Sequence, residues 1–364
     1  MSLVIHGIGT ATPLLQITQA DAARLAIDFA NAEPGRERTL AALYRQTRIR
    51  TRGSVLLEEP GASAYSQTFF PPATAADSAG PSTGERMARY AREAGPLAAA
   101  ASQAALAEAG VTPHAITHLI TCSCTGFANP GVDLELMSVL GLPATVARTH
   151  VGFMGCHGAF NALRVAGAFA AADPAAVVLV VCVELCSLHF QYGTRGDHVV
   201  ANSIFADGAA AIVASSGGSG LPECGRLVGQ RSQVLPASTE QMGWFIGDHG
   251  FEMTLSPRVP DAIAIHLPLA IDALLTAEGL TRADVTSWAV HPGGPRILAA
   301  VGETLGLCEE DLRHSHGVLA DHGNMSSATI LFILSRLAQA RCHGPCVAMA
   351  FGPGLTAEVA CLRF

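Results

Sequence analysis

Hydrophobic and polar positions change period repeatedly along the chain, and this pattern predicts a layered α/β protein. Short β-branched or wholly apolar runs predict strands at 116–122, 146–151 and 176–183. Stretches with helical spacing lie between and before them, at 21–32, 85–109, 133–140 and 157–172. Gly95-Pro96 predicts an interruption of the second helix, and the segment 53–84, rich in Pro, Ser and Ala, predicts a surface excursion.

A second passage of the same character follows the Gly/Ser-rich segment 215–220. It predicts a strand at 287–290, a strand-turn-strand unit at 345–364 and helices at 261–278, 296–305 and 324–340. In the first passage, Asp207-Gly208 inside the apolar run 203–215 predicts a hairpin. The similarity of the two passages indicates an internal duplication, with halves at 1–220 and 221–364.

Composition narrows the class of protein. Of 364 residues, 49% are hydrophobic and 14% charged, which excludes a disordered chain and favours burial of apolar surface between subunits. A net charge of -8 argues against nucleic acid as the main partner. The most apolar stretch, 175–183, is too short for a membrane span, and the N-terminus lacks a signal-peptide pattern. We therefore expect a cytoplasmic protein without a membrane span.

The ten cysteines indicate a reducing compartment rather than a disulfide framework. The close pairs do not form a CxxC, and none has a second pair at zinc-finger spacing, so we expect no metal site. At least one cysteine is a candidate nucleophile.

Three residues at predicted element ends could carry nucleophilic chemistry. Cys156 stands among glycines between a strand and a helix, where helix amides would lower its pKa. His291 follows a strand and precedes Pro292-Gly293-Gly294, and Asn324 opens an apolar helix. Each also has a structural interpretation: a core cysteine, a turn histidine and a helix N-cap. Together they supply the nucleophile, the proton donor or base, and the oxyanion donor that acyl transfer on a thioester requires.

Longer segments around these residues resemble the chalcone-synthase-like, or type III, polyketide synthases. The similarity extends in order over about residues 116–364, while the first third matches loosely through Ile8–Pro13. Its most specific segments are Gly155-Cys156, Phe205–Ala211, Trp288–Pro295, Gly323–Leu334 and Phe351–Glu358.

The resemblance implies a thiolase-like fold, with two similar halves in an αβαβα arrangement, and a homodimer. It implies that Cys156 accepts an acyl group from a starter acyl-CoA. His291 and Asn324 would bind the malonyl-CoA carbonyl during decarboxylation, and the enolate would extend the chain repeatedly before cyclisation. Phe205 would separate the CoA tunnel from the reaction chamber. CoA thioesters are the substrates, and no further cofactor is implied.

Position by position, the resemblance also implies the residues that line the reaction chamber: Cys124, Thr125, Cys186, His189, Trp244, Met253 and Ser326. Several differ from the plant chalcone synthase pattern and are similar to bacterial members that make alkylpyrones or alkylresorcinols from fatty acyl-CoA. The basic CoA-binding positions of the plant enzymes correspond here to Thr39, Ala42 and Gln46. Arg45 and Arg48 are the substitutes we expect, unless they form a solvated charged face, and Arg296, just after the His291 loop, is another candidate to bind phosphate or pantetheine.

The expected activity is thus that of a malonyl-CoA-dependent acyltransferase, with an aliphatic acyl-CoA as starter. Alternatives are a ketoacyl-ACP synthase III with a single condensation, or a plant-type chalcone- or naphthalene-forming synthase. From other classes, a cysteine hydrolase could use the same three residues, and a metal-binding protein could use the cysteine pairs.

Overall fold

The computed structural model describes residues 2–30, 37–59, 66–74, 78–218 and 220–364. Its strands are β1 Leu3–Ala11, β2 Gln16–Thr18, β3 Thr51–Gly53, β4 His118–Ser123, β5 Ala147–Gly152, β6 Val177–Leu185, β7 Asp207–Ser215, β8 Gly225–Val234, β9 Met242–Gly247, β10 Gly250–Leu255, β11 Ser287–Val290, β12 Pro345–Gly352 and β13 Thr356–Arg363. Its helices are α1 Gln19–Ala30, α2 Glu37–Gln46, α3 Thr83–Ala109, α4 Val132–Leu140, α5 Gly158–Ala172, α6 Gly196–Ile204, α7 Val259–Ala277, α8 Pro295–Leu305, α9 Arg313–His322 and α10 Thr329–Gln339.

One strand-pairing pattern occurs twice in the main sheet, whose order is β11-β12-β13-β8-β1-β7-β6-β4-β5. In the N-terminal half β4 and β6 are parallel, while β6 and β7, and β7 and β1, are antiparallel. In the C-terminal half β11, β12, β13 and β8 repeat these relations in the same order. β1 and β8 join the halves through antiparallel pairing. The expectation of two similar halves is confirmed.

Helices cover both faces of this sheet. One face packs against α5 and α10, which form a shared middle layer. The other face packs against α3 in the N-terminal half and against α7 in the C-terminal half. Residues that alternate along a strand point to opposite faces, so β6 and β12, which are buried beyond their first residue, supply apolar side chains to two layers each. The layers follow the predicted αβαβα order.

Helix α3 runs through Pro96 without the interruption that the sequence predicts. Its close packing on β1 explains why it continues. A Cβ at Gly9 would lie 2.1 Å from the Ala101 carbonyl oxygen, and one at Gly7 would lie 2.5 Å from that of Ala105. Glycine in the strand therefore allows the helix backbone to approach closely, and this tertiary packing outweighs the backbone hydrogen bond that proline removes.

Two further predictions are wrong at the residues that matter for the site. Residues 203–215 do not form a hairpin, because α6 ends at Ile204 and β7 begins at Asp207 as a single strand. Gly208 lies inside that strand, where a Cβ would be 2.3 Å from the sulfur of Met325. Helix α10 begins at Thr329, so Asn324 precedes it and is not its N-cap.

Helix α7 is long and apolar enough to cross a membrane by length and composition alone. Its residues Ile263, Leu267, Ile271 and Leu274 belong to the core between this helix, α8 and the C-terminal half of the sheet. It is the counterpart of α3 in the duplicated architecture.

Candidate active site

Cys156 lies in a short 3-10 turn, residues 155–157, that connects β5 to α5. Gly155 has a φ of 75°, and a Cβ there would lie 2.4 Å from Cδ of Pro353 in the turn between β12 and β13. A Cβ at Gly158 would lie 2.7 Å from the sulfur of Cys122. Positions 155 and 158 must therefore be glycine, and this close packing holds Cys156 at a fixed position against the C-terminal half.

Burial is the main influence on the Cys156 thiol and raises its pKa to about 11. Hydrogen bonds from the side chains of Ser326 and Asn324 favour the thiolate and act in the opposite direction, with a smaller effect. The expectation that the helix terminus would lower this pKa is wrong for the free protein, because removal of the charged form from water outweighs the helix amides.

Asn324 is buried and lies beside the nucleophile. Its backbone forms a bridge to Phe205, and its N–H donates to the carbonyl of Ile204 at 2.8 Å. Its side-chain oxygen accepts from the backbone N–H of Ser326 at 2.9 Å. This last contact fixes the amide orientation and leaves the NH2 group free to donate toward Cys156.

His291 follows β11 and is 1% exposed. Its backbone N–H donates to Met349 at 2.9 Å, yet neither ring nitrogen has a hydrogen-bond partner among the described residues. Burial lowers its pKa to about 3, and the nearby His157 acts in the same direction. The imidazole is therefore neutral and offers one N–H donor and one acceptor. Buried polar atoms without partners are rare, so this ring is suited to a bound molecule.

The carboxyl of Glu184 is an organising group that sequence reasoning missed. It is fully buried in β6, and the described residues place no Lys or Arg against it. The Cys124 backbone N–H donates to it at 3.0 Å and the Thr125 hydroxyl at 2.7 Å. The Ser327 hydroxyl and the Cys124 thiol also donate to it. A charged residue in an otherwise apolar strand was the available signal.

Most of the predicted chamber residues do come together in one cavity of about 370 Å³ that contains the nucleophile. Met242, Gly243, Gly155 and Pro353 also contribute to its wall. The Ser326 hydroxyl lies 3.0 Å from the sulfur of Cys124. The backbone of Ser326 has a φ of 46°. The predicted residues in this wall are Cys124, Thr125, Cys156, Cys186, Phe205, Trp244, Met253 and Ser326.

A second, mainly apolar cavity adjoins the first and measures about 850 Å³ when its opening to solvent is included. Both cavities share four wall residues, so these side chains separate them: Cys186, Phe205, Trp244 and Met253. Beyond this wall the second cavity is lined by α1, by Tyr44 and by Leu56, Leu57 and Phe70. Phe205 thus stands between two apolar spaces.

The hairpin β9–β10 carries two of the separating side chains and is tied to the loop after β4. Trp244 Nε1 donates to the carbonyl of Cys124 at 2.8 Å. His189 lines the second cavity, and its Nε2 donates to the carbonyl of Thr125 at 2.7 Å while its Nδ1 accepts from Phe251 at 2.9 Å. These contacts fix both ring nitrogens of His189, and burial lowers its pKa to about 3.

Two of the three arginines expected to bind CoA line one surface cleft. Arg48 and Arg296 lie in this cleft of about 910 Å³, which also includes Gln46, Glu303 and Glu309. Arg48 is 3.7 Å from Glu309, and both side chains are largely exposed. Arg45 is exposed at the end of α2 and is not in the cleft wall. In the described part of the chain, no group of three His, Cys, Asp or Glu side chains could hold a metal ion.

Comparison with known families identifies the chain. Residues 2–218 match the N-terminal domain of the chalcone and stilbene synthases, and residues 226–364 match their C-terminal domain. The chain belongs to the chalcone and stilbene synthase family. Its activity is accordingly that of a type III polyketide synthase, a transferase that depends on malonyl-CoA.

Relatives and solved structures extend across almost the whole synthase. An alpha-pyrone synthesis polyketide synthase-like protein of Mycobacterium tuberculosis is 35% identical, covering 98% of this chain and 89% of the relative. The 1,3,6,8-tetrahydroxynaphthalene synthase of Streptomyces peucetius is 33% identical, covering 99% and 93%. A polyketide synthase structure from the brown alga Ectocarpus siliculosus superposes with a TM-score of 0.91 at 32% identity, covering 99% and 98%. The predicted thiolase-like fold is confirmed.

Proposed function

We propose that this synthase uses an aliphatic acyl-CoA as starter and makes an alkylpyrone or alkylresorcinol. The observation that carries this proposal is the second cavity, which is lined mainly by apolar side chains and measures about 850 Å³ when its opening to solvent is included. It adjoins the chamber of Cys156 across a wall of single side chains. An alkyl chain bound through the thioester at Cys156 would occupy this space, because burial of its methylene groups is favourable there. The similarity to an alpha-pyrone-forming relative supports the same product class.

In the proposed loading step, the sulfur of Cys156 attacks the carbonyl of the starter thioester. The C–S bond to CoA breaks, CoA leaves as the thiol, and the acyl group remains on Cys156. Because the pKa of this thiol is about 11 in the free protein, loading requires removal of its proton. Hydrogen bonds from Ser326 and Asn324 would stabilise the thiolate as it forms.

In the proposed extension step, neutral His291 and the amide of Asn324 donate hydrogen bonds to the thioester carbonyl of malonyl-CoA. The bond to the carboxylate breaks, CO2 leaves, and the electron pair forms an enolate whose oxygen these donors stabilise. The enolate carbon then attacks the acyl carbonyl on Cys156, and the Cys156 sulfur leaves. The extended chain is held by CoA and returns to Cys156 for a further round.

The remaining expectations belong to the same proposal. The enzyme acts as a cytoplasmic homodimer that needs no cofactor besides its CoA thioester substrates. The two similar halves divide near residue 220. Arg48 and Arg296 bind the CoA phosphates in their shared cleft, with Arg45 nearby on the surface, because guanidinium groups suit phosphate oxygens.

The test is product analysis with malonyl-CoA and saturated acyl-CoA starters of graded length. We expect CO2 release and alkylated pyrones or resorcinols, with a maximum in kcat/KM at one chain length. Products built from malonyl-CoA alone would favour the naphthalene-forming alternative. Extension by one unit on a carrier protein would favour a ketoacyl-ACP synthase III, and thioester hydrolysis without consumption of malonyl-CoA would favour a hydrolase.

A variant at the wall between the cavities sharpens this test. Trp244→Ala joins the chamber to the second cavity and should shift the preferred starter toward longer or bulkier chains. Phe245→Ala is the matched control, because Phe245 is the next residue on β9 but is 59% exposed and lines neither cavity. An equal change in starter preference for both variants would argue against binding of the alkyl chain in the second cavity.

A further inference from the structure

The apolar second cavity contains polar side chains, and most of them are already paired within the protein. Gln191 Nε2 donates to two backbone carbonyls, and Asn202 pairs with the backbone of Gln191. Among the described residues that line this cavity, two buried polar atoms have no hydrogen-bond partner: the hydroxyl of Tyr44 and Nε2 of His198. For the latter, the carboxylate of Glu252 is 3.3 Å away and becomes an ion-pair partner if the ring is protonated.

The hydroxyl of Tyr44 is the more informative of the two. Tyr44 is 1% exposed, and Arg52 lies over its ring with Cζ 5.5 Å from the ring centre. A guanidinium can only donate, and that of Arg52 donates to the carbonyls of Asn202 and Phe205 at 2.7 Å. The proton of the Tyr44 hydroxyl therefore has no acceptor among the described residues. A buried donor without an acceptor is costly, and a ligand that carries an acceptor oxygen would remove that cost.

The order of chain growth indicates which part of the ligand reaches Tyr44. Each extension inserts two carbons next to the thioester, so the starter end of the chain moves away from Cys156. The second cavity lies on the far side of Phe205 and Trp244 from Cys156 and would receive that starter end. An acceptor near Tyr44 would therefore belong to the starter.

We propose that the second cavity selects starters whose alkyl chain bears a hydroxyl group, which accepts a hydrogen bond from Tyr44. This inference rests on the proposed function and specifies its substrate class as hydroxyacyl-CoA. Selection follows because an unsubstituted chain leaves the Tyr44 hydroxyl unpaired, whereas a hydroxyl at the matching carbon pairs with it.

The experiment compares matched starters with wild-type protein and with Tyr44→Phe. Each pair is a saturated acyl-CoA and a monohydroxyacyl-CoA of the same length, with the hydroxyl moved carbon by carbon from mid-chain to the terminus. We expect wild-type kcat/KM to favour at least one hydroxyl position by about tenfold over the unsubstituted chain. Tyr44→Phe should abolish that preference, so that the ratio of kcat/KM for the hydroxylated and the unsubstituted starter falls from about tenfold to about one. Its Tm should change little, because the proton of the Tyr44 hydroxyl has no acceptor among the described residues.

Tyr192→Phe is the matched control, since its hydroxyl donates to the carbonyl of Pro71 and it does not line the cavity. This variant should lose stability without any change in starter preference. Wild-type turnover of saturated starters with no preference for any hydroxyl position would overturn the inference and leave the proposed function intact. An equal effect of Tyr44→Phe on both starters would also overturn it. Absence of product from every acyl-CoA would instead refute the proposed function.

Discussion

The two halves of the molecule use the same architecture for opposite purposes. Each half enters its middle-layer helix through a short 3-10 turn, at 155–157 before α5 and at 326–328 before α10. The first turn contains Cys156 and the second contains Ser326, and the two side chains interact. The strands β4 and β11 are likewise counterparts, and they lead to Cys124 and His291 respectively.

The difference lies in how each half pairs its polar groups. In the N-terminal half, Glu184 accepts hydrogen bonds from Cys124 and Thr125, which fix the loop after β4, and another from Ser327 of the C-terminal half. In the C-terminal half, His291 has no partner for either ring nitrogen among the described residues. Near the nucleophile, the N-terminal half therefore contributes a fully paired carboxyl group, while the C-terminal half contributes an unpaired donor and acceptor. Four experiments test this comparison.

The largest effect is expected from loss of the nucleophile. Cys156→Ala should lower polyketide formation at least about thousandfold, because the acyl group can no longer be held as a thioester. Some malonyl-CoA decarboxylation should remain, since the donors of the other half are intact. Product analysis and CO2 release measure the two steps separately. Cys342→Ala is the control, because Cys342 is only partly buried and lines neither cavity nor the arginine cleft, so its loss should leave condensation unchanged. Condensation by Cys156→Ala at the wild-type rate would refute the assignment.

The next largest effect is expected at His291, whose ring nitrogens are unpaired in the C-terminal half. His291→Gln should lower kcat for condensation about a hundredfold, because a donor to the enolate oxygen is lost or displaced. Its free energy of unfolding at neutral pH should stay close to wild type, since the ring makes no hydrogen bond within the described protein. His314→Gln controls for removal of another ring with an unpaired nitrogen. A large loss of stability with normal kcat would show that His291 is a structural residue.

The paired carboxyl of the N-terminal half should respond in the opposite way. Glu184→Gln places an NH2 group against existing donors and should lower the free energy of unfolding by about 2–3 kcal/mol. Urea denaturation monitors this change. Glu358→Gln is the comparison, since Glu358 is also buried but its partner Arg164 is 42% exposed, and we expect a smaller loss. Equal losses of unfolding free energy in the two variants would contradict the inference that the hydrogen bonds of Glu184 contribute more to stability than the ion pair of Glu358.

The smallest effect concerns stability in acid. An unfolded histidine binds a proton near pH 6.5, whereas burial lowers the pKa of both His291 and His189 to about 3. The unfolded state therefore binds more protons between these pH values, and stability falls as pH decreases, by about 1.4 kcal/mol per pH unit for each ring. His291→Gln should reduce this slope relative to wild type by one such contribution. The free energy of unfolding of both proteins, measured from pH 6.5 to 4, gives this difference in slope. Parallel curves for wild type and His291→Gln would contradict the prediction.

Sequence reasoning succeeded where local signals agree with tertiary packing. Strand β11 was predicted at its observed bounds, and the helix at 157–172 differs by one residue from α5. The chamber residues were found through their resemblance to family segments, which preserve the order of residues around a common site. The same reasoning failed at Asp207-Gly208, where a turn-forming pair lies inside β7 because Gly208 must accommodate Met325. The predicted interruption of the helix at Pro96 is wrong for a similar reason, because packing of α3 on β1 maintains the helix.

The sequence by itself determined the layered α/β class, the duplication and the three candidate catalytic residues, because periodicity and motifs are local properties of consecutive residues. Only the tertiary structure decided which polar atoms lack partners, how four side chains separate two cavities, and that burial raises the pKa of Cys156 to about 11. These properties depend on residues that are distant in sequence and meet across layers, such as Glu184 with Ser327 and Phe205 with Asn324. Desolvation and hydrogen bonding are set by that surrounding packing, and no single segment contains it.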